Sequence, residues 1–230
     1  MLENTKYVDV IYNDGIRPVT TYPQKLIQYL ISKYNIEVGS KILDSGCGRG
    51  DFAEAFAQAG MDVVGIDGYL FDQNRCTTVN YVGGIDLELG NLPFNDNIFD
   101  IVFSKSVLEH IHKPEHYLNE IMRVLKPGGK IIVLVPDWYT QMYIFYDDFS
   151  HVQPYTKRGL HDTLCVFGFE KVRTEVFYQL PSVWKHSCIK VICRALQILG
   201  GPVKKLSKNK FYRFSRELML LSIGEKGKDL

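Results

Sequence analysis

The sequence predicts an α/β fold with an open, mostly parallel sheet and helices on both of its faces. Three observations support this prediction. Short apolar runs alternate with helical patterns along most of the 230 residues. The clearest run, Lys130–Val135 (KIIVLV), is apolar on both faces, as expected for a strand covered on both sides. A glycine-rich turn follows the first run and leads into a helix.

Composition places the chain among globular proteins. Apolar residues make up 46% and charged residues 23%, so a core can form without disulfides. The five cysteines include no CxxC pair, which argues against a disulfide framework or a zinc knuckle. The N-terminus lacks an apolar signal segment, and no stretch approaches about 18 uncharged apolar residues. We therefore expect a cytoplasmic protein.

Helices and strands follow from periodicity and from the residues that end each element. Four segments with apolar residues three and four positions apart predict helices: Pro23–Tyr34, Asp51–Ala59, Pro114–Leu125 and Thr156–Phe167. Seven apolar runs predict strands: Lys41–Asp44, Val63–Asp67, Val79–Val82, Phe99–Ser104, Lys130–Val135, Phe169–Phe177 and Leu218–Ile223. Residues 1–38 are expected to form a lead-in and the first helix of a single domain spanning residues 1–230.

A basic segment separates the last two predicted strands. Between Val176 and Arg216 there is no Asp or Glu but there are nine Lys and Arg residues, so the rest of the chain carries −8 against a net charge of +1. We interpret residues 178–216 as a basic helical insertion or lid, because the connection is too long for a tight turn. Its charge suits either an anionic partner or a solvated surface.

One part of this insertion is amphipathic. Apolar residues recur at helical spacing opposite His186, Lys190, Arg194 and Gln197; they are Trp184, Cys188, Val191, Ile192, Ala195 and Leu199. An apolar face beside a cationic flank predicts a helix on an anionic membrane surface, or one that packs its apolar face on the domain. The segment lacks the interleaved aromatics and glycines of a nucleic-acid stacking platform, which argues against a nucleic-acid partner.

The strongest motif is the turn LDSGCGRGDF at residues 43–52. Glycines allow sharp turns and a close approach to a ligand. Their G-x-G-x-G spacing differs from the G-x-G-x-x-G of dinucleotide sites, and Asp44 before them would repel a pyrophosphate. A carboxylate at this point suits a cationic or amino-bearing ligand.

Acidic residues also follow the next two strands. Asp67 stands 23 residues after Asp44, close to the spacing at which an acid binds ribose hydroxyls. Asp86 follows the third strand, where a carboxylate can accept a hydrogen bond from an adenine amino group. Each Asp alone could serve a turn. Three acids after three successive strands indicate a nucleoside-type site.

Together these motifs resemble those of the class I S-adenosylmethionine-dependent methyltransferases, in particular the type 11-like members. ILDSGCGRGDF is similar to the first family motif and VVGID to the second. LPFNDNIFDIVFSKSVLEHI resembles the segment that ends in strand four, and EIMRVLKPGGKIIVLVP the helix, turn and strand that follow. The resemblance covers residues 41–136 and implies a doubly wound, Rossmann-like sheet with strand order 3-2-1-4-5-7-6.

The resemblance also implies the cofactor, S-adenosylmethionine. The glycines would flank its methionine part, Asp44 would support its amino group and Asp67 would bind the ribose hydroxyls. Asp86, or alternatively Glu88, would face the adenine, and Ser104 would lie beside the sulfonium. The implied cofactor-binding residues are Asp44, Gly46, Cys47, Gly48, Gly50, Asp67, Gly68, Asp86, Leu87 and Ser104.

The sequence specifies the chemistry of the methyl acceptor less closely than the cofactor. Because the sulfonium already makes the methyl group electrophilic, the protein has mainly to position the acceptor, exclude water and remove a proton. His151 is our candidate general base, with Asp148 orienting it or capping a helix; a structural role for His151 is the alternative. Glu109 and His110 form a second candidate pair. The six histidines suggest no metal-ligand set at recognisable spacing.

The stretch around His151 resembles methyltransferases of bacterial surface-glycan assembly. We therefore expect O-methylation of a small-molecule, glycan or lipid-linked acceptor, by a cytoplasmic enzyme that could contact the anionic inner membrane surface. One alternative is a catalytically inactive scaffold that docks on an anionic partner through the basic segment. Another is an NAD-linked oxidoreductase, which the glycine spacing disfavours.

Overall fold

Seven strands form one mixed sheet in the computed structural model, which describes residues 18, 20–68, 78–204 and 207–228. In chain order they are β1 (Lys41–Ser45), β2 (Asp62–Ile66), β3 (Asn80–Val82), β4 (Phe99–Lys105), β5 (Leu125–Pro136), β6 (Phe169–Phe177) and β7 (Met219–Lys226). Their spatial order is β3-β2-β1-β4-β5-β7-β6, which confirms the predicted order. The lead-in expected before the first helix lies mostly outside the described residues.

Strand direction divides the sheet into two parts. β1 to β5 are parallel to one another, whereas β7 is antiparallel to both β5 and β6. Parallel neighbours need crossover connections, and helices supply them on both faces. The carboxyl ends of β1 to β5 therefore meet at one edge, where the sites of such sheets form.

Eight α-helices are described. They are α1 (Tyr22–Tyr34), α2 (Asp51–Gln58), α3 (Pro114–Val124), α4 (Trp138–Gln141), α5 (Lys157–Val166), α6 (Pro181–Lys185), α7 (Ile189–Gly200) and α8 (Lys210–Phe214). Short 3-10 helices cover Leu108–His110 and Phe145–Asp147. No helix among the described residues is long and apolar enough to cross a membrane.

Alternate residues of the central strands enter two separate apolar clusters. Ile131 of β5 belongs to the cluster under α3 and α5, and Ile132 belongs to the cluster under α1 and α2. This alternation follows from the two-residue period of a strand. It explains why KIIVLV is apolar throughout: both faces of β5 are covered.

The start of β5 differs from the sequence prediction. α3 ends at Val124 and β5 begins at once with Leu125, instead of at Lys130 after a turn. Phe99 of β4 pairs with Leu125, whereas Ile101 pairs with Lys130, so residues 126–129 form a bulge within the strand. Gly128 in this bulge has φ +77°, a conformation that favours glycine. The Pro-Gly-Gly signal thus marks an irregularity of the strand.

Three helices, α6, α7 and α8, lie between β6 and β7, in the segment interpreted from sequence as a basic helical insertion. A third apolar cluster joins them to the sheet; its buried members are Tyr178, Leu180, Val183, Cys193 and Leu218. Leu218 precedes β7, so the cluster forms where the chain returns to the sheet.

Candidate active site

The glycine-rich turn connects β1 to α2 at the carboxyl edge of the sheet. The N–H groups of Gly46 and Cys47 both donate to the carbonyl oxygen of Ile66 at the end of β2, at 2.8 and 3.0 Å. The N–H of Gly50 donates to the carbonyl oxygen of Cys47 at 2.9 Å. Gly46, Gly48 and Gly50 have φ values of +76°, +54° and +85°, so every second residue of the turn adopts a left-handed backbone conformation.

The three glycines face different surroundings. A Cβ atom at Gly46 would collide with the side chain of Val107, and one at Gly50 would collide with the hydroxyl of Tyr81. A Cβ atom at Gly48 would meet no atom within 4 Å. Packing thus explains Gly46 and Gly50, whereas the space next to Gly48 is open to a ligand.

Asp44 lies at the end of β1 beneath this turn and is buried, with 2% of its surface exposed. Its Oδ2 atom has no hydrogen-bond partner among the described residues. Burial, followed by the charge of Asp67, raises the pKa of the Asp44 carboxyl to about 8, although the Ala53 backbone N–H and Lys105 oppose the shift. An isolated buried carboxyl of this kind is unfavourable unless a hydrogen-bond donor or a cation occupies the site.

Asp67 follows β2 and contacts the glycine turn directly. Its Oδ2 atom accepts a hydrogen bond from the N–H of Gly48 at 2.9 Å. Its backbone joins the loop after β3, since its N–H donates to Val82 O at 3.3 Å and its carbonyl accepts from Ile85 N–H at 3.1 Å. Gly68, the next residue, is half-buried. The structure thus brings Asp44, Asp67 and the glycines together, as expected from sequence.

The side chains of both candidates for the adenine position accept hydrogen bonds from backbone N–H groups. Asp86 is exposed, and its Oδ1 atom accepts from the N–H groups of Glu88 and Leu89 at 2.9 and 3.1 Å. The carboxylate of Glu88 instead accepts hydrogen bonds from the N–H groups of His112 and Lys113. Leu87, between them, packs against the apolar cluster under α3 and α5. The choice between Asp86 and Glu88 stays a prediction.

Ser104 is committed to a buried hydrogen-bond group that sequence reasoning missed. The hydroxyl of Tyr117 on α3 lies 2.9 Å from Ser104 Oγ and 3.0 Å from Ser45 Oγ, and all three residues are buried. The side chain of Ser104 therefore supports the sheet from the α3 face. The amphipathic pattern of α3 indicated that Tyr117 faces inward but not what its hydroxyl contacts.

The fold unites the two pairs of candidate acceptor-site residues in one cluster. Ligand atoms of Glu109, His110 and His151 all lie within 4.8 Å of one another, and the two imidazole rings are 4.8 Å apart. Asp148 joins them, with its Oδ2 atom 4.0 Å from His151 Nε2. Sequence spacing did not reveal this group, because residues 109–110 and 148–151 follow different strands.

Hydrogen bonds fix both imidazole rings. His151 Nδ1 lies 2.6 Å from the carbonyl oxygen of Phe145, which as an acceptor requires the proton on Nδ1 and leaves a lone pair on Nε2. His110 Nδ1 lies 3.2 Å from the carbonyl oxygen of Ser150. Burial raises the pKa of Asp148, but its hydrogen bonds with Ser150 and the nearby histidines outweigh this effect and lower the pKa below its ordinary value.

Glu109 is the most buried member of the cluster. It is 1% exposed. Burial raises its pKa to about 8, although hydrogen bonding with its own backbone N–H and with Ser106, and the charge of Lys105, oppose the shift. Its backbone carbonyl accepts from the N–H groups of Val152 and Gln153 at 2.8 and 3.0 Å. The loop after β4 therefore holds the segment that carries His151.

The segment that carries His151, residues 138–154, begins and ends beside the same point of the sheet. Asp137, at the end of β5, forms a parallel bridge with Tyr155, and Trp138 N–H donates to Tyr155 O at 3.0 Å. The segment 138–154 is thus closed at its base. Its outer part carries exposed apolar side chains: Tyr139, Met142, Tyr143, Tyr146 and Phe149.

A separate cavity of about 570 Å³ lies away from this edge. Lys33, Lys171 and Arg173 line it, together with Glu175 and Glu225. Its two acids form ion pairs with Lys33 and Lys171. Because it shares no residue with the glycine turn or the histidine cluster, it is not the site predicted from sequence.

Comparison with known proteins agrees with the geometry. A family model described as "Methyltransferase domain" matches residues 43–133, the part that carries the glycine turn, Asp67, Asp86 and Glu109. An uncharacterized protein of Methanocaldococcus jannaschii is 30% identical over 79% of this chain and 78% of its own length. The chain belongs to the class I S-adenosylmethionine-dependent methyltransferases. The expected cofactor, S-adenosylmethionine, agrees with membership of this family.

Other methyltransferases are similar over shorter stretches or in fold alone. The demethylmenaquinone methyltransferase of Paenarthrobacter aurescens is 33% identical over 47% of this chain and 46% of its own length. This chain thus spans less than half of that relative. The structure of Haemonchus contortus phosphoethanolamine N-methyltransferase 2, in complex with S-adenosyl-L-methionine, superposes with a TM-score of 0.65 at 17% identity. It covers 99% of this chain and 60% of that one.

Proposed function

We propose that this methyltransferase transfers a methyl group from S-adenosylmethionine to a hydroxyl group of a small molecule or a glycan, free or lipid-linked, with His151 as the general base. One observation carries the proposal: the unpartnered buried oxygen of Asp44 lies beneath the glycine turn, whose Gly48 faces open space. An elongated ligand with a cationic amino group satisfies both features.

The residues of the turn fit this cofactor. An ammonium group at Asp44 would supply the charge partner that the buried carboxyl lacks and would lower its pKa. The methionine part would lie against Gly48, where no Cβ atom obstructs it. Asp67 would bind the ribose hydroxyls while its Oδ2 atom holds the Gly48 N–H. Asp86 or Glu88 would face the adenine.

The geometry of His151 suits proton removal from an acceptor hydroxyl. With Nδ1 donating to Phe145 O, Nε2 carries the lone pair that takes the proton. Asp148 Oδ2, 4.0 Å from Nε2, then stabilises the positive charge on the ring. Because the pKa of Asp148 is held below its ordinary value, it is ionised throughout the neutral range.

Glu109 has a different part in the same cluster. With its pKa raised to about 8, it is largely protonated at neutral pH and so adds no negative charge beside the two histidines. When bound, S-adenosylmethionine supplies an electrophilic methyl group. The chain positions the acceptor oxygen, excludes water and takes its proton at His151.

Two measurements test the proposal in sequence. Isothermal titration calorimetry should detect binding of S-adenosylmethionine and no comparable binding of NAD. Mass spectrometry of a panel of soluble and lipid-linked glycans, incubated with the chain and S-adenosylmethionine, should then detect a mass increase of one methylene group on a hydroxyl. Cofactor binding without transfer to any acceptor would favour the alternative, an inactive scaffold that docks through its basic segment.

The compact Glu109–His110–His151 cluster requires one control. Each of these residues offers one ligand atom to a metal, and no ion is part of the proposal. Turnover should therefore be unchanged by EDTA. Activity that is lost with EDTA and restored by a divalent cation would reassign His151 from general base to metal ligand.

A further inference from the structure

Helix α7 packs on the domain through its small and polar residues. Cys193 is fully buried, and its Sγ atom lies 3.3 Å from Ser215 Oγ. Gln197 donates to Ser215 O at 2.7 Å, and Gly200 O accepts from Arg216 at 2.8 Å. The inward side of α7 is thus not the apolar stripe predicted from its sequence.

The apolar stripe faces outward instead. Val191, Ile192, Ile198 and Leu199 are 69%, 55%, 80% and 85% exposed. Cys188 and Ala195, on the same side, are also exposed. The alternative in which the helix packs its apolar face on the domain is therefore wrong for α7. Trp184, the first residue of the predicted face, lies instead on α6, where its ring stacks on Tyr29 and Phe177. At 100° per residue, these side chains cover about a third of the helix circumference.

A cationic edge borders this face. Lys190 and Arg194 follow the apolar residues around the helix and are exposed. Exposed lysines continue on either side of α7; those described are Lys185, Lys204, Lys208 and Lys210. None of these six side chains forms an ion pair with a described residue, and no acid occurs between Val176 and Arg216. Their positive charge is therefore not neutralised locally.

A second exposed apolar patch lies outside α7. It belongs to the segment 138–154, and its members are Tyr139, Met142, Tyr143, Tyr146 and Phe149. The ammonium group of Lys204, in the chain that leaves α7, lies 5.8 Å from the centre of the Tyr143 ring, so this chain contacts the second patch. Together they hold nine of the fourteen large apolar side chains that are exposed among the described residues. Such a concentration is typical of an interaction surface.

We propose that the outward face of α7, with its cationic edge, docks on the surface of an anionic lipid bilayer. The helix would lie in the interface with Ile198 and Leu199 among the acyl chains and Lys190 and Arg194 among the headgroups. Its 12 residues are too few to span a bilayer, which takes about 20. A uniform cationic field beside an apolar face matches anionic lipid better than a two-fold dimer through this face, which would bring like charges together.

The position of this face bears on the acceptor, an argument that rests on the proposed function. The segment linked to α7 through Lys204 and Tyr143 also carries His151. A bilayer beneath α7 would therefore lie close to the segment that holds the general base. This arrangement suits an amphiphilic acceptor that stays anchored in the membrane while its polar group enters the site.

Vesicle co-sedimentation of the full chain tests the docking. We expect binding to vesicles of phosphatidylcholine and phosphatidylglycerol, little binding to phosphatidylcholine alone, and at least a tenfold loss of binding when salt is raised from about 0.05 to 0.5 M. The double variant Ile198→Asp/Leu199→Asp should bind at least tenfold more weakly. The matched control is Val166→Asp, at the end of α5, where the side chain is 77% exposed but lies outside both patches; it should bind as the parent does.

Two further readouts separate the competing explanations. Calorimetry with S-adenosylmethionine should give the same affinity for all variants, which confirms that they fold. Loss of vesicle binding together with loss of fold would not support the proposal. The Lys190→Glu/Arg194→Glu variant therefore provides a second test and should also bind anionic vesicles more weakly than the parent. A wild-type dimer that the Ile198→Asp/Leu199→Asp change makes monomeric, without vesicle binding, would overturn the proposal and assign the face to a second copy. Vesicle binding without cofactor binding would overturn the proposed function and leave the docking intact.

Discussion

The backbone N–H of Gly48 donates a hydrogen bond to the Oδ2 atom of Asp67 at 2.9 Å, across 19 residues of sequence. This bond joins the glycine turn after β1 to the acid after β2. Each part of the predicted cofactor site therefore holds the other in place. A site whose parts are fixed before binding loses less entropy when the ligand arrives.

Replacing Asp67 by Ala should weaken the binding of S-adenosylmethionine at least tenfold. The change removes hydrogen bonds from a charged acceptor, worth about 1.5–3 kcal/mol each, and releases the Gly48 N–H. Isothermal titration calorimetry measures the affinity. Asp62→Ala is the matched control, because Asp62 is an exposed acid at the other end of β2. Equal affinities for the Asp67→Ala variant and the parent would remove Asp67 from the site.

Gly48→Ala should abolish cofactor binding while the chain still folds. The left-handed backbone at Gly48 costs an alanine about 1–2 kcal/mol of stability, and its Cβ atom would enter the open space assigned to the cofactor. Gly39→Ala carries the same kind of cost, since Gly39 has φ +84° and also open surroundings, but lies away from the turn. Thermal melts should shift alike for both variants, whereas only Gly48→Ala should lose calorimetric binding. Retained binding would show that the cofactor does not approach Gly48.

His151→Ala should lower turnover by about 10²–10⁴ and leave the cofactor affinity nearly intact. The reason is that Nε2 takes the proton, while the glycine turn binds the cofactor. His161→Ala is the control, because His161 is a histidine of α5 outside the cluster. The rates are measured by mass spectrometry with the acceptor found in the glycan panel. Turnover near that of the parent would make His151 a structural residue.

Two buried carboxyls predict a stability that declines with pH. The pKa values of Asp44 and Glu109 are raised to about 8 by burial, against ordinary values of 3.8 and 4.5. Between these limits the folded chain binds more protons than the unfolded chain, so the free energy of unfolding falls as pH rises from about 5 to 8. Urea unfolding across this range measures the decline.

Asp44→Asn and Glu109→Gln should each remove part of that decline, and the double variant should remove most of it. Each variant should be more stable than the parent at pH 8, by about 1 kcal/mol or more, because a buried charge no longer forms. Asp44→Asn should at the same time lose cofactor affinity. A pH profile identical to that of the parent would mean that neither carboxyl is desolvated as the structure indicates.

Much of the fold and the cofactor site is predictable from sequence because strand ends carry the signal. Asp44, Asp67 and the glycines follow strands that are parallel neighbours, so their side chains must meet at one edge. Apolar periodicity identifies strands but not their neighbours, so the strand order follows only from the resemblance to the methyltransferases.

Features that depend on tertiary contacts were not predictable. Glu109 and His151 lie on loops after different strands, and only the backbone bonds from Val152 and Gln153 to Glu109 bring them together. The resemblance places Ser104 beside the sulfonium, but nothing in the sequence indicates that the hydroxyl of Tyr117 on α3 lies 2.9 Å from its Oγ atom. Periodicity places side chains on faces without stating what covers each face.

Helix α7 shows the same limit in a different way. Its sequence defines an apolar stripe and a polar stripe, and hydrophobicity alone favours burial of the first. The structure buries Cys193 instead, and the small residues Cys193 and Gly200 let the helix approach Ser215 and Arg216 closely. The outward apolar stripe stays exposed and is available to a surface outside the chain.

The bridge between Asp137 and Tyr155 has a consequence for how this methyltransferase can diverge. Because both ends of the segment 138–154 are fixed to one another, its outer part can change in length and composition without displacing β5 or α5. The segment is thus structurally separate from the candidate cofactor site at β1 and β2. Because the proposed function places the general base on this segment, we expect that grafting it between related chains would transfer acceptor preference.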